Sequence, residues 1–291
     1  MQKRSNGKMS FLLTAACGCV FATQTQAALI SSYSFDDSSQ TKTIASQVAT
    51  TIVDDQGAAS GDLRYNGAFY DVNNPVAGGP AFVASGAGTP LDALSGNHGS
   101  ALSMPSANGG EVALGKIGAH DFEKNDFSMA GWFKLNARTG GTTFIYDNAV
   151  HNFGGQSIAV FGNGLLEFAV KGTSSDGGTT FDNISIVSDS SVDDGQWHFF
   201  AAIIDDEVAT LSIDGVQQGS SVAYGLGTKA RPTGSKGTRM AVGIDGELDT
   251  FKIYDHALTA GELNGLYKVP EPASLMLLSA GTLLLSRRSK K

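Results

Sequence analysis

Short apolar runs separated by Gly, Asn and Asp recur through residues 28–268, and no long helical period interrupts them. The run Phe127–Leu135 alternates between two sets of side chains, which is the period of a strand. Gly162-Asn163-Gly164 and Asp214-Gly215 stand between such runs and predict hairpin turns. Further strands are predicted at Leu29–Phe35, Thr143–Tyr146, Gln156–Phe161, Leu165–Lys171, Trp197–Ile204, Val208–Ile213, Val216–Gln218, Met240–Ile244 and Glu247–Tyr254. Many short strands at close spacing indicate a two-sheet antiparallel sandwich.

One short helix is predicted near the end of this region. Thr259 and Glu262 fit a capping box, in which the Thr259 hydroxyl accepts a hydrogen bond from the N–H of Glu262 and the carboxylate reaches back. Leu263, Leu266 and Tyr267 would then form one apolar stripe facing the sheet.

The N-terminus carries the parts of a secretory signal peptide, predicted to span residues 1–27. Basic residues precede the apolar stretch Met9–Ala22, and Thr25-Gln26-Ala27 places small residues where a signal peptidase cuts. Both cysteines, Cys17 and Cys19, fall inside this segment, so the mature protein would have neither a disulfide nor thiolate chemistry. Acylation at Cys17, as in a lipoprotein, is the alternative.

The C-terminal residues 269–291 combine Pro270-Glu271-Pro272, an apolar run over 273–286 and a basic end. In this order they resemble the PEP-CTERM sorting signal of Gram-negative bacteria, with Pro270, Glu271 and Pro272 as the motif. The resemblance implies cleavage by an exosortase-type membrane enzyme and delivery to the cell surface or an extracellular matrix. The apolar run reaches about 21 Å as a helix, short of a hydrocarbon core of about 30 Å. Transient membrane association is therefore favoured over the alternative of a permanent anchor.

Charge separates the two ends from the middle. Seven of the 20 basic residues lie in the first ten or last five positions, whereas Glu271 is the one acidic residue of 28 in the two sorting segments. Without those residues, 13 basic and 27 acidic residues remain, a net charge near −14. Such an acidic domain argues against nucleic acid as a partner and is compatible with Ca²⁺ or neutral ligands.

Six stretches of the middle, taken in order, resemble the laminin G-like, or concanavalin A-like, jelly-roll domain of bacterial exported proteins. They are Tyr33–Asp36, Gly99–Met104, Asp126–Lys134, Asp194–His198, Leu211–Gly215 and Gly246–Tyr254. The resemblance implies an all-β, two-sheet antiparallel jelly-roll sandwich over residues 28–268, with one short C-terminal helix. Residues 40–98 match the family poorly and are predicted to be a long insertion rich in loops.

Glu247 and Asp249 raise the question of catalysis. Glycoside hydrolases of the laminarinase type share the broad fold, and their catalytic strand carries three carboxylates at alternating positions, on one face. Phe251 takes the third position here, so no residue could act as the acid/base. We therefore predict no catalytic residues and no enzyme, with the glycoside hydrolase kept as an alternative.

Asp36 and Asp249 are the candidate metal ligands. The resemblance implies a structural Ca²⁺ near the paired first and last strands, where these residues stand, and Asp54 or Asp55 could add a further oxygen. Ca²⁺ takes about 6–8 oxygen ligands, which carboxylates and carbonyls supply. The alternative is that Asp36 and Asp249 only accept hydrogen bonds.

The remaining polar and aromatic residues favour structural roles. The five histidines have no zinc-like spacing, and His198 is predicted to be structural. Trp132 and Trp197 could stack on sugar rings, but the family pattern predicts core positions for both. The predicted function is a non-catalytic surface or matrix protein that binds a glycan or another surface component, with an exopolysaccharide as the partner that the sorting signal suggests. A purely structural surface protein is the alternative.

Overall fold

A computed structural model describes most of the middle of the chain. The described residues are 28–35, 40–44, 47–56, 60–65, 68–70, 72–73, 79–87, 99–105, 110–115, 117, 120, 122, 126–137, 140–148, 155–171, 183–223 and 237–267. Their strands are β1 (Leu29–Tyr33), β2 (Gln40–Ile44), β3 (Gln47–Ile52), β4 (Gly61–Tyr65), β5 (Ala68–Phe69), β6 (Ala81–Ala84), β7 (Ser100–Met104), β8 (Glu111–Gly115), β9 (Phe127–Leu135), β10 (Thr143–Asp147), β11 (Gly155–Val160), β12 (Leu165–Lys171), β13 (Asn183–Ser191), β14 (Trp197–Asp205), β15 (Val208–Ile213), β16 (Val216–Ala223), β17 (Thr238–Val242) and β18 (Gly246–Tyr254). One helix, α1, spans Ala260–Tyr267.

Two antiparallel sheets enclose the core. Sheet A has eight strands in the order β16-β15-β14-β9-β18-β7-β6, with β1 also paired to β18. Sheet B has ten strands in the order β13-β12-β11-β10-β17-β8-β4-β3-β2, with β5 paired to β4. Side chains from both sheets form one apolar cluster, in which Tyr146, Phe168 and Phe251 are fully buried. The fold is the predicted all-β, two-sheet antiparallel jelly-roll sandwich with one short C-terminal helix.

Strand β18 lies at the centre of sheet A. It pairs with β9 along one edge and with β7 and β1 along the other. The pairing with β1 sets Tyr33 opposite Phe251 and brings the first and last strands together, as the family resemblance implied.

A bulge interrupts β18 at Thr250. The register against β9 shifts between Asp249 and Lys252, and Thr250 has a φ of 48°, in the left-handed region. The shift turns Phe251 into the core, whereas Asp249 stands opposite Trp132 of β9 and faces outward. A Cβ added to Gly131 would lie 3.1 Å from the Phe251 Cα, so the bulge requires glycine on the neighbouring strand.

Strand β9 is buried on both faces. Phe127 and Phe133 lie in the core between the sheets, while Ala130 and Trp132 belong to a second apolar cluster on the outer face of sheet A. The predicted apolar stripe of α1 packs on this outer cluster, which consists of Ala87, Ala130, Trp132, Phe199 and Ala201. Both sets of alternating side chains in β9 therefore lie in apolar surroundings, because the helix shields the outer face from water.

Tight turns close the hairpins that the glycine and aspartate pattern predicted. Asp214 and Gly215, with φ of 51° and 78°, connect β15 to β16. Gly164, with a φ of 79°, ends the turn between β11 and β12. The turn after β14 is formed by Asp206 and Glu207, because β14 continues through Asp205, one residue beyond the predicted strand end at Ile204.

The prediction for residues 40–98 was wrong in part. Five strands, β2 to β6, lie in this stretch, and β3 and β4 extend sheet B beyond β8. The sequence signal of these strands is weak, because β2 (Gln40–Ile44) is mostly polar and the apolar strands β5 and β6 are only two and four residues long. Residues 88–98 lie outside the described residues.

The predicted sorting segments, 1–27 and 269–291, also lie outside the described residues. Within the described part, no helix is both long and apolar enough to cross a membrane. The signal peptide and the membrane association of 273–286 stay predictions.

Candidate functional site

Asp249, one of the two predicted metal ligands, is fully buried on the outer face of sheet A. Its Oδ2 accepts a hydrogen bond from the Ser85 hydroxyl at 2.5 Å, and its Oδ1 accepts one from the Thr250 hydroxyl at 2.8 Å. Ser85 in turn accepts from the N–H of Ala87 at 3.1 Å. The carboxylate thus fixes the segment after β6, which is the hydrogen-bonding role that the sequence left open.

Asp36, the other predicted ligand, lies outside the described residues. Asp54, a further candidate ligand, is buried, and its Oδ1 accepts a hydrogen bond from the N–H of Ser32 on β1 at 2.9 Å. Its Oδ2 is buried without a hydrogen-bond partner, a group that a cation would stabilise. In the described part of the chain, however, no group of three or more His, Cys, Asp or Glu side chains could hold a metal ion. A metal site at Asp249 would therefore depend on Asp36.

Glu247 forms an ion pair, and no third carboxylate follows Glu247 and Asp249 at the alternating positions of β18. The Lys134 Nζ lies 3.2 Å from the Glu247 Oε1, and Lys134 stands opposite it on β9. Because the bulge turns Phe251 into the core, the face that carries Glu247 and Asp249 has no third alternating position there.

His198 joins two of the stretches that carry the family resemblance. Its Nδ1 lies 2.7 Å from Asp214 Oδ2, and its Nε2 lies 3.1 Å from Asp194 Oδ1. Asp214 also accepts from the N–H of Phe199 at 2.8 Å. The hydrogen bond with Asp214 raises the pKa of His198 above its ordinary 6.5, although burial opposes this. The arrangement ties β14 to the turn after β15 and fits the predicted structural role.

A second polar network lies inside the core around His120, which is fully buried. Its Nε2 lies 2.9 Å from the Ser31 hydroxyl and its Nδ1 lies 3.0 Å from the Tyr146 hydroxyl, while its carbonyl accepts from the Gln156 amide at 2.9 Å. Burial lowers the pKa of His120 to about 4, and the charge of Asp54 acts in the opposite direction. The imidazole is therefore neutral near pH 7 and serves to connect β1, β10 and β11.

The two tryptophans hold the outer cluster together. Trp132 is 2% exposed and stacks on Tyr267 of α1, with ring centroids 5.8 Å apart and planes at 12°. Trp197 is half-buried against the same cluster, with its Nε1 beside Gly86. The predicted core position is confirmed for Trp132, and Trp197 lies at the margin of the cluster.

A cleft of about 290 Å³ opens between α1 and strands β14 to β16. Its apolar side includes Phe199 and Tyr267, whose ring centroids lie 5.6 Å apart with planes at 47°. Its polar lining consists of Thr210, Ser212, Gln217 and Asn264. The remaining lining residues are Ile203, Leu211, Gly215, Ala260 and Leu263.

The predicted capping box sets the position of the helical wall. The N–H of Glu262 donates to the Thr259 hydroxyl at 3.3 Å, and the Glu262 carboxylate accepts from the N–H of Thr259 at 2.7 Å. No residue of α1 is fully buried, so the helix rests on the sheet through partly covered side chains. One wall of the cleft is thus a helix without fully buried side chains, and the other is the hairpin β14–β15, which contains several.

The chemistry of the cleft is that of a neutral site. None of its eleven lining residues carries a carboxylate, an ammonium, a guanidinium or an imidazole. Aromatic rings with hydroxyl and amide groups around them suit a ligand with an apolar ring face and several hydroxyls. The sequence predicted the stripe of α1 but missed this cleft. The available signal was the alternation in Val208–Ile213, which sends Thr210 and Ser212 to the face opposite Leu211.

Comparisons with known proteins identify both parts of the chain. The family model for the concanavalin A-like lectin/glucanases superfamily matches residues 106–264. The model for the PEP-CTERM protein-sorting motif matches residues 268–291, which contain Pro270, Glu271 and Pro272. This motif is a sorting signal for export in Gram-negative bacteria and implies processing by an exosortase. No curated protein matches the chain.

Solved structures with the same fold include domains of two other proteins. Domain 4 of AbnA, an extracellular arabinanase from Geobacillus stearothermophilus solved with arabinotriose, is similar with a TM-score of 0.54 at 19% identity, over 83% of this chain and 99% of that domain. The binding domain of Paraclostridial Mosquitocidal Protein 1 is similar with a TM-score of 0.52 at 14% identity, over 82% of this chain and 51% of that one. The chain thus spans about half the length of that toxin domain. These likenesses establish the jelly-roll fold.

Proposed function

Because the chain belongs to the concanavalin A-like lectin/glucanases superfamily, we propose that it is an exported protein whose domain binds a glycan without cleaving it. The superfamily name covers both lectins and glucanases, so the chemistry of the site has to decide between them. The single observation that carries the proposal is the cleft beside α1, with its aromatic side, its hydroxyl and amide lining, and no charged lining residue.

The cleft has the features of a sugar site. Tyr267 and Phe199 offer aromatic surface to the C–H face of a sugar ring. Asn264 and Gln217 are exposed and can both donate to and accept from ring hydroxyls, while Thr210 and Ser212 add hydroxyl groups. A ligand with many hydroxyls would satisfy these groups, which are otherwise hydrated.

Two features support binding without hydrolysis. Glycoside hydrolysis uses two carboxyl groups that flank the scissile bond, and the cleft lining supplies none. The strand that the laminarinase alternative requires holds Glu247 in an ion pair with Lys134 and Asp249 fully buried beneath Ser85. Neither carboxylate is free to approach a glycosidic bond on this strand.

The sorting motif supports a location for this activity. A chain that an exosortase-type enzyme processes is delivered outside the cell, so we place the domain at the cell surface or in an extracellular matrix. An exopolysaccharide is a glycan that the domain would meet at this location. The competing proposal is a purely structural surface protein that binds no glycan.

A glycan array separates these proposals. We expect the protein to bind at least one class of oligosaccharide, and Asn264→Ala and Gln217→Ala to lower that binding because each removes a polar group from the cleft. Gln196→Ala is the matched control, since Gln196 is as exposed as Gln217 but lies outside the cleft. Absence of binding to every glycan, with or without Ca²⁺, would leave the structural proposal. Release of reducing sugar from β-glucans that is abolished by Glu247→Gln would support the alternative of a glycoside hydrolase.

We also propose that Asp36 and Asp249 hold a structural Ca²⁺. The pairing of β1 with β18 supports this, because the end of β1 that precedes Asp36 runs beside the strand of Asp249. An ion that binds only the folded state raises stability by RT ln(1 + [L]/Kd), so EDTA should lower the melting temperature. Asp249→Asn should abolish that response to EDTA. An identical melting temperature of the wild-type protein in EDTA and in Ca²⁺ would exclude the ion.

A further inference from the structure

The part of the domain that forms the cleft carries charge of one sign. Residues 183–223, which include β13 to β16, contain seven Asp and Glu residues and no Lys or Arg. Residues 255–267, which include α1, contain two more acidic residues and again no Lys or Arg. The basic residues of the described chain lie elsewhere, such as Lys134 on β9 and Arg239 on β17. Among the described residues, the strands and the helix that form the cleft therefore carry acidic side chains and no Lys or Arg.

One group of these carboxylates, the exposed turn Asp205–Glu207, lies near one end of the cleft and outside its lining. At that end, Ile203 pairs with Thr210 in the cleft, and the turn follows two positions along the same hairpin. A ligand that extends beyond this end of the cleft meets the carboxylates of the turn.

In the described part of the chain, the ion-pair partners found for these carboxylates are histidines. His198 lies between Asp194 and Asp214, and His256 lies 4.0 Å from Glu262. The exposed Asp205, Asp206 and Glu207 form no ion pair among the described residues. At physiological ionic strength the field of such a group reaches about 8 Å before salt screens it.

We infer that the glycan held in this cleft is cationic: a polymer of hexosamine units that carry free amino groups. This inference rests on the proposed function, since it names the class of glycan for the same site. The neutral lining receives the sugar ring, and the carboxylates of the turn Asp205–Glu207 attract the ammonium groups of neighbouring units. Uronate and sulfated polymers are disfavoured because their charges would face carboxylates of the same sign. The acidic surface also speeds the approach of a polycation.

Three oligosaccharides of equal length test the inference with the full-length protein. They are oligomers of glucosamine, of N-acetylglucosamine and of galacturonate, titrated at a pH below the pKa of the glucosamine amine. We expect the glucosamine oligomer to bind about tenfold or more tighter than its acetylated counterpart at low salt. The difference should narrow as salt is added, and the galacturonate oligomer should bind most weakly.

Charge-removing variants locate the effect. The double variant Asp205→Asn, Glu207→Gln should weaken binding of the glucosamine oligomer and leave that of the acetylated oligomer unchanged, since neither residue lines the cleft. The control Glu167→Gln, Asp245→Asn removes the same number of charges on β12 and at the turn before β18, away from the cleft, and should preserve the selectivity.

The outcomes distinguish this inference from the proposed function. Equal affinity for the two hexosamine oligomers, or tighter binding of galacturonate, overturns the inference and leaves glycan binding intact. Selectivity that persists in the cleft-side double variant overturns it as well. If none of the three oligomers and no other glycan binds, or if Gln217→Ala has no effect on binding, the proposed cleft itself is wrong.

Discussion

Acidification from about pH 7.5 to about pH 5 is expected to cost the fold about 2 kcal/mol through His120 alone. The imidazole is fully buried between the Ser31 and Tyr146 hydroxyls, where burial disfavours its charged form. In the unfolded chain the same imidazole is hydrated and takes up a proton near pH 6.5. The native state binds that proton only near pH 4.

The magnitude follows from the difference between these two pKa values. A pKa lowered from 6.5 to about 4 corresponds to about 3.4 kcal/mol once the pH is below both values. The contribution is fully present above about pH 6.5 and is lost as the pH falls, because only the unfolded state binds the proton in that interval. By about pH 5 roughly 2 kcal/mol has been lost, a large fraction of the stability of an ordinary domain.

Urea unfolding, followed by tryptophan fluorescence across this pH range, measures the effect. His120→Gln cannot take up the proton, so we expect its stability to fall by about 2 kcal/mol less than that of the wild type. At pH 7.5 the variant should be less stable, since it disturbs the hydrogen bonds to Ser31 and Tyr146. His256→Gln, at a partly exposed histidine, is the control and should follow the wild type. Parallel pH profiles for the wild type and His120→Gln would refute the reasoning.

Three further changes test other contacts. His198→Gln should destabilise the protein below about pH 6.5 and lose this effect as the pH rises, because Asp214 raises the pKa of His198 and favours its protonated form; urea unfolding at about pH 5.5 and about pH 9 checks this, and a constant effect would contradict it. Gly131→Ala should cost about 1–3 kcal/mol, because its Cβ would press on Phe251 at the bulge, and an unchanged melting temperature would be inconsistent with that packing. Gly265→Ala meets no atom within 4 Å and should raise stability by about 0.5–1 kcal/mol through helix propensity, so a lower melting temperature would argue against the position of α1.

The parts of the fold that the sequence predicted well are those whose signals are local. The strands Phe127–Leu135, Leu165–Lys171 and Val208–Ile213 begin and end where they were predicted. Asp214-Gly215 required positive φ at both positions, which limits the turn types available. The capping box of Thr259 is likewise a contact within four residues.

The parts that the sequence did not reveal depend on contacts between distant residues. Strands β2 to β6 lie in the stretch 40–98, where β2 is mostly polar and the apolar strands β5 and β6 are short, and sheet neighbours such as β8 complete them. The bulge at Thr250 could not be predicted from alternation, because alternation assumes an unbroken register. Alternation therefore placed Phe251 on the same face as Asp249, whereas Phe251 lies in the core.

The candidate site follows the same division. Sequence singled out carboxylates, since Asp and Glu are the residue types that bind metals and cleave glycosidic bonds. The cleft is built instead from Thr, Ser, Gln and Asn side chains, which occur on most surfaces and carry no signal by themselves. These side chains form a cleft only because α1 docks across β14 to β16. No spacing in the sequence indicates this contact between the helix and the strands.

The central position of β18 determines when this domain can fold. Strands β9, β7 and β1 are brought together by residues 246–254, which are among the last of the domain to be synthesised. Until those residues are present, β1 lacks the strand with which it pairs, and sheet A is divided through its middle. The contact of Leu29 with Tyr254 closes nearly the whole domain in one loop, and contacts of such long range form slowly. A chain of this fold that crosses a membrane starting from its N-terminus therefore cannot complete sheet A until almost all of the domain has crossed.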